Sequence, residues 1–195
     1  ELLVQQDRRH VNTGSDTDAL LSVLAHALQC QDIERLTPKA IFAAVAAVHR
    51  RCRGGYAVVA LVIGYGIVAF RDPHGIRPLV MGRREIEGGV EHMVASESVA
   101  MDALDFEVVR DILPGEAVII ERDGTLHSQQ CGARRSYTPC IFEYVYFARP
   151  DSTLGGTGVH AARVRMGTRL AEEAPADADL VMPIPDSGTP AAIGF

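Results

Sequence analysis

The chain has 195 residues, 47% of them hydrophobic and 23% charged, with a formal net charge of −6. This is the composition of a soluble globular protein long enough to bury a core, and its negative balance argues against nucleic acid as a partner, whose phosphates are ordinarily met by excess Lys and Arg. The longest uncharged run, residues 54–70, falls short of the roughly 20 apolar residues of a membrane helix, and Gly64-Tyr65-Gly66 interrupts it.

In chain order, residues 2–9 read as the tail of a helix and 10–14 as a short extended piece and turn. Ser15 has the chemistry of an N-cap, with Asp16 and Asp18 in the first turn of the helix it opens. Leu20, Leu21, Leu24 and Leu28 recur at helical spacing and predict a buried stripe. Thr37-Pro38 starts a second helix with proline at its first position; Ile41, Phe42, Val45 and Val48 form its apolar face. It ends in the basic cluster His49-Arg50-Arg51-Cys52-Arg53, before Gly54-Gly55. This cluster, like Arg83-Arg84 and Arg134-Arg135, suits a helix end or turn better than a ligand patch.

The period then changes from helical to alternating. Residues 56–63, 66–71 and 78–82 read as strands rich in Val and Ile. Asp72-Pro73-His74-Gly75 is a turn by chemistry, with Asp for a local hydrogen bond, Pro for fixed φ and Gly for positive φ. A strand at 90–96 runs through Ser96-Glu97-Ser98, read as a helix cap, into a short helix at 97–104. Strands at 117–121 and 125–127 flank the hairpin turn Arg122-Asp123-Gly124. Two helices followed by this strand-rich half predict a layered α+β unit.

The last third changes character. Phe142, Tyr144 and Tyr146 alternate along 140–147 and predict a strand that Arg149-Pro150 stops, since proline cannot donate to a ladder and restricts its predecessor. A helix follows at 159–173, then an apolar strand, Leu180-Val181-Met182, leading into Pro183-Ile184-Pro185-Asp186-Ser187. Strand, helix, strand and polar turn open an α/β unit. Glu1 begins without methionine inside a helical pattern, and a helix starts at 191–195, so the chain is expected to be an internal piece of a longer protein.

Few residues have the setting for chemistry. Asp16 sits where helix N–H groups favour a negative charge, so it could hold an ammonium; an ordinary helix-start acid is the competing reading. Ser187 follows an apolar strand, at the end where α/β folds take ligands, so its hydroxyl could meet a phosphate or a metal-bound oxygen; an N-cap serine is the alternative. Asp72 and His74 belong to a turn. Cys30, Cys52, Cys131 and Cys140 have no zinc-ligand spacing. Nothing resembles a signal peptide, so a reducing cytoplasm is expected. No nucleophile–base pair and no glycine-rich phosphate loop is present.

Six stretches carry a resemblance: NTGSDTDALL, GYGIVAFRDPHGIRPLVMGRR, MVASESVAMD, RDILPGEAVII, CIFEYVYFARPDS and ARVRMGTRL. In order and over nearly the whole chain they resemble the glutamine phosphoribosylpyrophosphate amidotransferases, or amidophosphoribosyltransferases. The resemblance implies residues 1–130 as the later part of an N-terminal-nucleophile (Ntn) glutaminase domain, a partial αββα sandwich. It implies residues 131–195 as the start of a phosphoribosyltransferase domain. It further implies glutamine and phosphoribosylpyrophosphate as substrates, Mg²⁺ as cofactor, ammonia passing between the domains, 5-phosphoribosylamine as the first committed intermediate of purine synthesis, and a homo-oligomer.

By the same resemblance Asp16 binds the glutamine α-ammonium and Ser187 contributes to Mg²⁺–phosphoribosylpyrophosphate binding. Cys140 is the first of four ligands of a [4Fe–4S] cluster that only some members hold, against its alternative as a buried strand thiol. The family's nucleophilic cysteine, carboxylate-binding arginine and oxyanion Asn-Gly pair are expected before Glu1, and its paired-acid phosphate loop after Phe195. The chain alone is then expected to be inactive, with no catalytic residue of its own. Two alternatives stay open: another Ntn-class amidotransferase, which would share the segment around Gly75-Ile76-Arg77-Pro78, and a non-catalytic module that kept the fold.

Overall fold

The computed structural model describes residues 13–31, 36–133 and 137–195; the helix tail expected at 2–9 lies outside them. Helix α1 (Asp16–Gln29) begins at Ser15, whose hydroxyl accepts the Thr17 N–H. Helix α2 (Pro38–Arg51) begins at Thr37, whose hydroxyl accepts from Ala40 N. Each cap satisfies a donor that the helix itself leaves orphaned. Both were foreshadowed by the sequence, and Ile41, Phe42, Val45 and Val48 are buried as expected. The α1 stripe is rotated from the reading above. Val23, Leu24 and Ala27 are buried, whereas Leu21 is 55% exposed, because the buried face is centred near positions 20 and 27, which puts position 21, about 100° round the helix from position 20, beyond its rim.

Beneath these helices lies an antiparallel sheet of β1 (Ala57–Val62), β2 (Gly66–Arg71), β6 (Glu116–Glu121) and β7 (Leu126–Gln130), in the order β1-β2-β6-β7. Side chains alternate along β2 and β6. Val68, Phe70, Ala117 and Ile119 face α1 and α2, while Ala69 and Val118 face the other way, onto Leu79, Met81 and Ile112. This second core joins the sheet to an antiparallel sheet of β3 (Val80–Ile86), β4 (Gly89–Ala95) and β5 (Glu107–Asp111), in the order β4-β3-β5. Short helix α3 (Val99–Asp102) buries Met101, and its sulfur closes against Gly82 of β3. The layering is thus helix, sheet, sheet, as the alternation of strand faces requires. Strand β5 was not anticipated.

The remainder of the chain departs from the expected strand–helix–strand order. Residues 143–147 are not a strand but a π-helical turn (Glu143–Phe147). It is followed by a tight hairpin, β8 (Thr153–Leu154) with β9 (Thr157–Gly158), and then helix α4 (Val159–Glu173). Leu180, Val181 and Met182 are exposed and form no strand; among the described residues no neighbouring strand offers them a ladder. Helix α5 (Gly188–Gly194) then packs on α4. No helix among the described residues is long and apolar enough to cross a membrane.

Candidate functional site

Asp16 is the first residue of α1 and is exposed. The loop before it is internally ordered. Thr13 Oγ1 accepts the Ser15 N–H at 3.2 Å and donates to Asp18 Oδ2 at 3.3 Å. Asp18 is therefore engaged within the loop, whereas Asp16 faces solvent at the positive end of a 14-residue helix. The arrangement offers an exposed carboxylate, at the head of a helix, to an approaching cation.

Ser187 precedes α5, and its hydroxyl makes no capping bond. With the neighbouring Asp186 it presents hard oxygen donors of the kind Mg²⁺ takes, although a six-oxygen shell would need substrate or water oxygens as well. Cys140 is half-buried. Its N–H donates to Ile76 O at 3.0 Å and its carbonyl accepts from Glu143 N at 3.2 Å. A strand thiol it is not, since it stands at the entrance of the helical turn. Among the described residues no group of three or more His, Cys, Asp or Glu is placed to hold a metal ion. Cys140 could therefore contribute one thiolate to a cluster but does not complete one with these residues.

The Asp72-Pro73-His74-Gly75 segment is a turn, as its chemistry implied. Asp72 is fully buried; its Oδ1 accepts the His74 N–H at 2.9 Å and its Oδ2 the Arg77 N–H at 3.2 Å. Gly75 takes φ +64°, a conformation glycine adopts without a Cβ penalty. Buried Arg71 spans the loop, donating to the carbonyls of Arg77, Gly75 and Ile112 at 2.6–3.0 Å. These contacts aim Arg77 outward. Its Nη1 lies 2.7 Å from Glu143 Oε1, and its guanidinium lies 5.6 Å from the Phe147 ring centroid. Burial raises the Glu143 pKa; Arg77 opposes the shift and Glu97 adds to it.

A cavity of about 940 Å³ opens where the end of α2 meets the Pro73-His74 turn and the Cys131-Gly132 backbone; Arg50 and Arg53 give its wall a basic character, and His49 and His74 line it as well. Asp16, Ser187 and Cys140 do not line it.

One constellation was missed by sequence reasoning. Ser96-Glu97-Ser98 does not cap α3, because Ser98 makes no capping bond. Instead Ser98 Oγ accepts the Thr153 N–H at 2.9 Å. Glu97 Oε2 accepts both the Arg149 N–H at 2.8 Å and the Ser152 hydroxyl at 2.6 Å. From the opposite side buried Arg163 of α4 donates to the carbonyls of Tyr144 and Ala148 at 2.6 and 2.9 Å. A Ser-x-Ser before a short helix reads locally as a cap, and only the partner more than 50 residues away distinguishes the two uses.

No protein-family model matches the chain. Among curated proteins, the chain is 53% identical over 98% of its length to the amidophosphoribosyltransferase of Pseudomonas aeruginosa. It is 49% identical over 98% to that of Escherichia coli and 45% identical over 95% to that of Saccharomyces cerevisiae. It spans 38–39% of the length of these three relatives. Its fold matches a solved structure of glutamine phosphoribosylpyrophosphate amidotransferase from B. subtilis, complexed with ADP and GMP, with a TM-score of 0.80 and 33% identity. That match covers 98% of this chain and 40% of the other. The sequence similarity to these enzymes runs over 95–98% of the chain, and the fold match over 98% of it.

Proposed function

We propose that this chain is part of an amidophosphoribosyltransferase. One half of the whole enzyme hydrolyses glutamine to glutamate and ammonia. The other lets ammonia displace pyrophosphate from phosphoribosylpyrophosphate, giving 5-phosphoribosylamine and so committing the product to purine synthesis. The observation that carries this reading is the continuous homology. At 49–53% identity it covers 98% of the chain in the bacterial relatives named above, running through the layered sheets and on through the aromatic turn, hairpin and α4. An amidotransferase with another synthase half would share the Asp72 turn but has no reason to match beyond Cys140.

The chain's own residues take specific parts in this scheme. Asp16, exposed at the head of α1, pairs with the α-ammonium of glutamine and so orients the side-chain amide. Ser187 meets an oxygen of the Mg²⁺–phosphoribosylpyrophosphate complex with a hydroxyl that no cap engages. Mg²⁺, when bound, offsets the charge of the pyrophosphate leaving group. In a member that holds a [4Fe–4S] cluster, Cys140 supplies one of four thiolates. A cytoplasmic homo-oligomer completes the reading.

Asp16→Asn in the whole enzyme tests it. Loss of one charge-assisted contact costs about 1.5–3 kcal/mol, so glutamine-dependent synthesis should fall roughly 10- to 150-fold, mainly through KM. Synthesis from added ammonia should stay within about twofold. Equal losses with both nitrogen sources would reject the role of Asp16; absence of any phosphoribosylamine formation would reject the function itself.

A further inference from the structure

The contacts of Glu97 and Ser98 involve neither Asp16 nor Ser187, and with three hydrogen bonds they join the stretch between β4 and α3 to the chain after Cys140. Glu97 and Ser98 hold the loop 149–153 at both ends, through the N–H groups of Arg149 and Thr153 and through the hydroxyl of Ser152, which is 1% exposed. A serine buried so fully must have its hydroxyl satisfied, and Glu97 is what satisfies it. Within the loop, Arg149 also pairs with Asp151 at the surface, at 2.8 and 3.0 Å.

The same loop is covalently continuous with the π-helical turn. That turn is gripped on one side by Arg77, which the Asp72 loop aims, and on the other by Arg163. Beside the backbone bond from the Cys140 N–H to the Ile76 carbonyl, two side-chain fastenings therefore run from the layered unit to the segment leading into α4. Arg77 reaches Glu143 at the start of the turn, and Glu97 reaches Arg149 and Ser152 just after it. These two side-chain fastenings meet the chain six to nine residues apart, at the start of the turn and just after it, and together they set its orientation.

We infer that Glu97 is a positioning residue that couples the two half-reactions, by holding the turn in the orientation in which ammonia released by the first half is used by the second. The inference rests on the function proposed above. Glu97 touches no substrate; it acts through Arg149, Ser152 and the turn they follow. Removing its carboxylate leaves the Arg77–Glu143 pair, the Cys140–Ile76 backbone bond and the Ser98–Thr153 bond in place, so each half keeps its own parts, while Arg149 and Ser152 lose their acceptor and the placement of the turn loosens.

The test uses the whole enzyme and measures glutamate formed per phosphoribosylamine formed, beside the rate with saturating ammonia. In the wild type the ratio is near one. Glu97→Ala should raise it about threefold or more, with ammonia released to solution, and leave the ammonia-dependent rate within about twofold. Glu97→Gln keeps an oxygen in place of Oε2 and should restore most of the coupling; Ser152→Ala, which removes one of the two bonds, should give an intermediate ratio. A ratio of one in both Glu97→Ala and Ser152→Ala overturns the inference, as does a parallel fall of both activities, the mark of a merely structural role. A wild type that makes no phosphoribosylamine from either nitrogen source overturns the proposed function, and the coupling with it.

Discussion

His49 closes α2 and sits where the helix layer, β2 and the basic cavity meet. Its Nδ1 shares a 2.8 Å hydrogen bond with the Tyr56 hydroxyl, and its ring packs 5.9 Å from the rings of both Tyr56 and Phe70. Burial pushes its pKa down to about 4, against the Asp72 carboxylate and the Gly115 carbonyl, which raise it. The folded protein thus holds His49 neutral. The unfolded chain takes up a proton near the ordinary value of 6.5, so below that pH the unfolded state binds more protons and stability falls until about pH 4. A fully buried ring with this shift would contribute about 3 kcal/mol; partial exposure reduces this to about 1–2 kcal/mol. Urea unfolding of the wild type and His49→Phe at pH 7 and pH 4.5 measures it. The variant should lose less stability between the two pH values, by about 1 kcal/mol or more, and identical losses would show that His49 is not held neutral by the fold.

At the level of elements, the residues that declare themselves locally were legible. Ser15, Thr37 and Pro38 fix two helix starts by backbone chemistry alone, and the β-branched runs of β1, β2 and β6 need only their neighbours. Asp16 and Ser187 were legible as positions, each heading a helix, but their roles came from family likeness rather than from geometry. The aromatic segment misled because alternation over three aromatics fits a strand, while Phe142 and Tyr146, four apart, equally fit a helical face. The long-range demand of Arg77 for Glu143 and of Arg163 for the Tyr144 and Ala148 carbonyls decided the outcome. Helix pairing was likewise invisible in sequence. A Cβ on Gly167 of α4 would lie 1.8 Å from the Ala191 carbonyl oxygen of α5, so the two backbones touch. Gly167→Ala must push α5 away, at a cost of about 2–3 kcal/mol. Thermal unfolding followed by circular dichroism should show a Tm lower by about 5–10 °C, against little change for Met166→Ala on the exposed side of the same helix. Equal Tm values for Gly167→Ala and the wild type would mean that the helices are not in contact.

Across the whole molecule, the two sheets meet through an apolar layer that is closed at one end by a single carboxylate. Glu116 of β6 is 4% exposed. It accepts both Arg110 Nη1 and Nη2, at 2.8 and 2.7 Å, from β5 of the other sheet. It also accepts the Leu113 N–H at 2.7 Å and the Ser128 hydroxyl of β7. Burial alone would raise its pKa, but the hydrogen bonds from Arg110, Ser128 and Leu113 N–H outweigh it and hold the carboxyl below its usual range. The unfolded state therefore binds the proton first as pH falls. The stability Glu116 contributes is complete above about pH 4.5 and is lost below it, as pH drops through the depressed native value. This window lies below most of the His49 window, so the two effects separate on one titration. Glu116→Gln puts an amide where four donors converge and leaves Arg110 without a counter-charge. Breaking a fully buried pair costs about 3–5 kcal/mol. Arg110 is 37% exposed and can recover some hydration, so about 2–3 kcal/mol is expected at pH 7. The difference between wild type and variant should shrink steadily from pH 4.5 to pH 3. A difference that stays constant over that range would place the cost in packing at the sheet junction rather than in the charge.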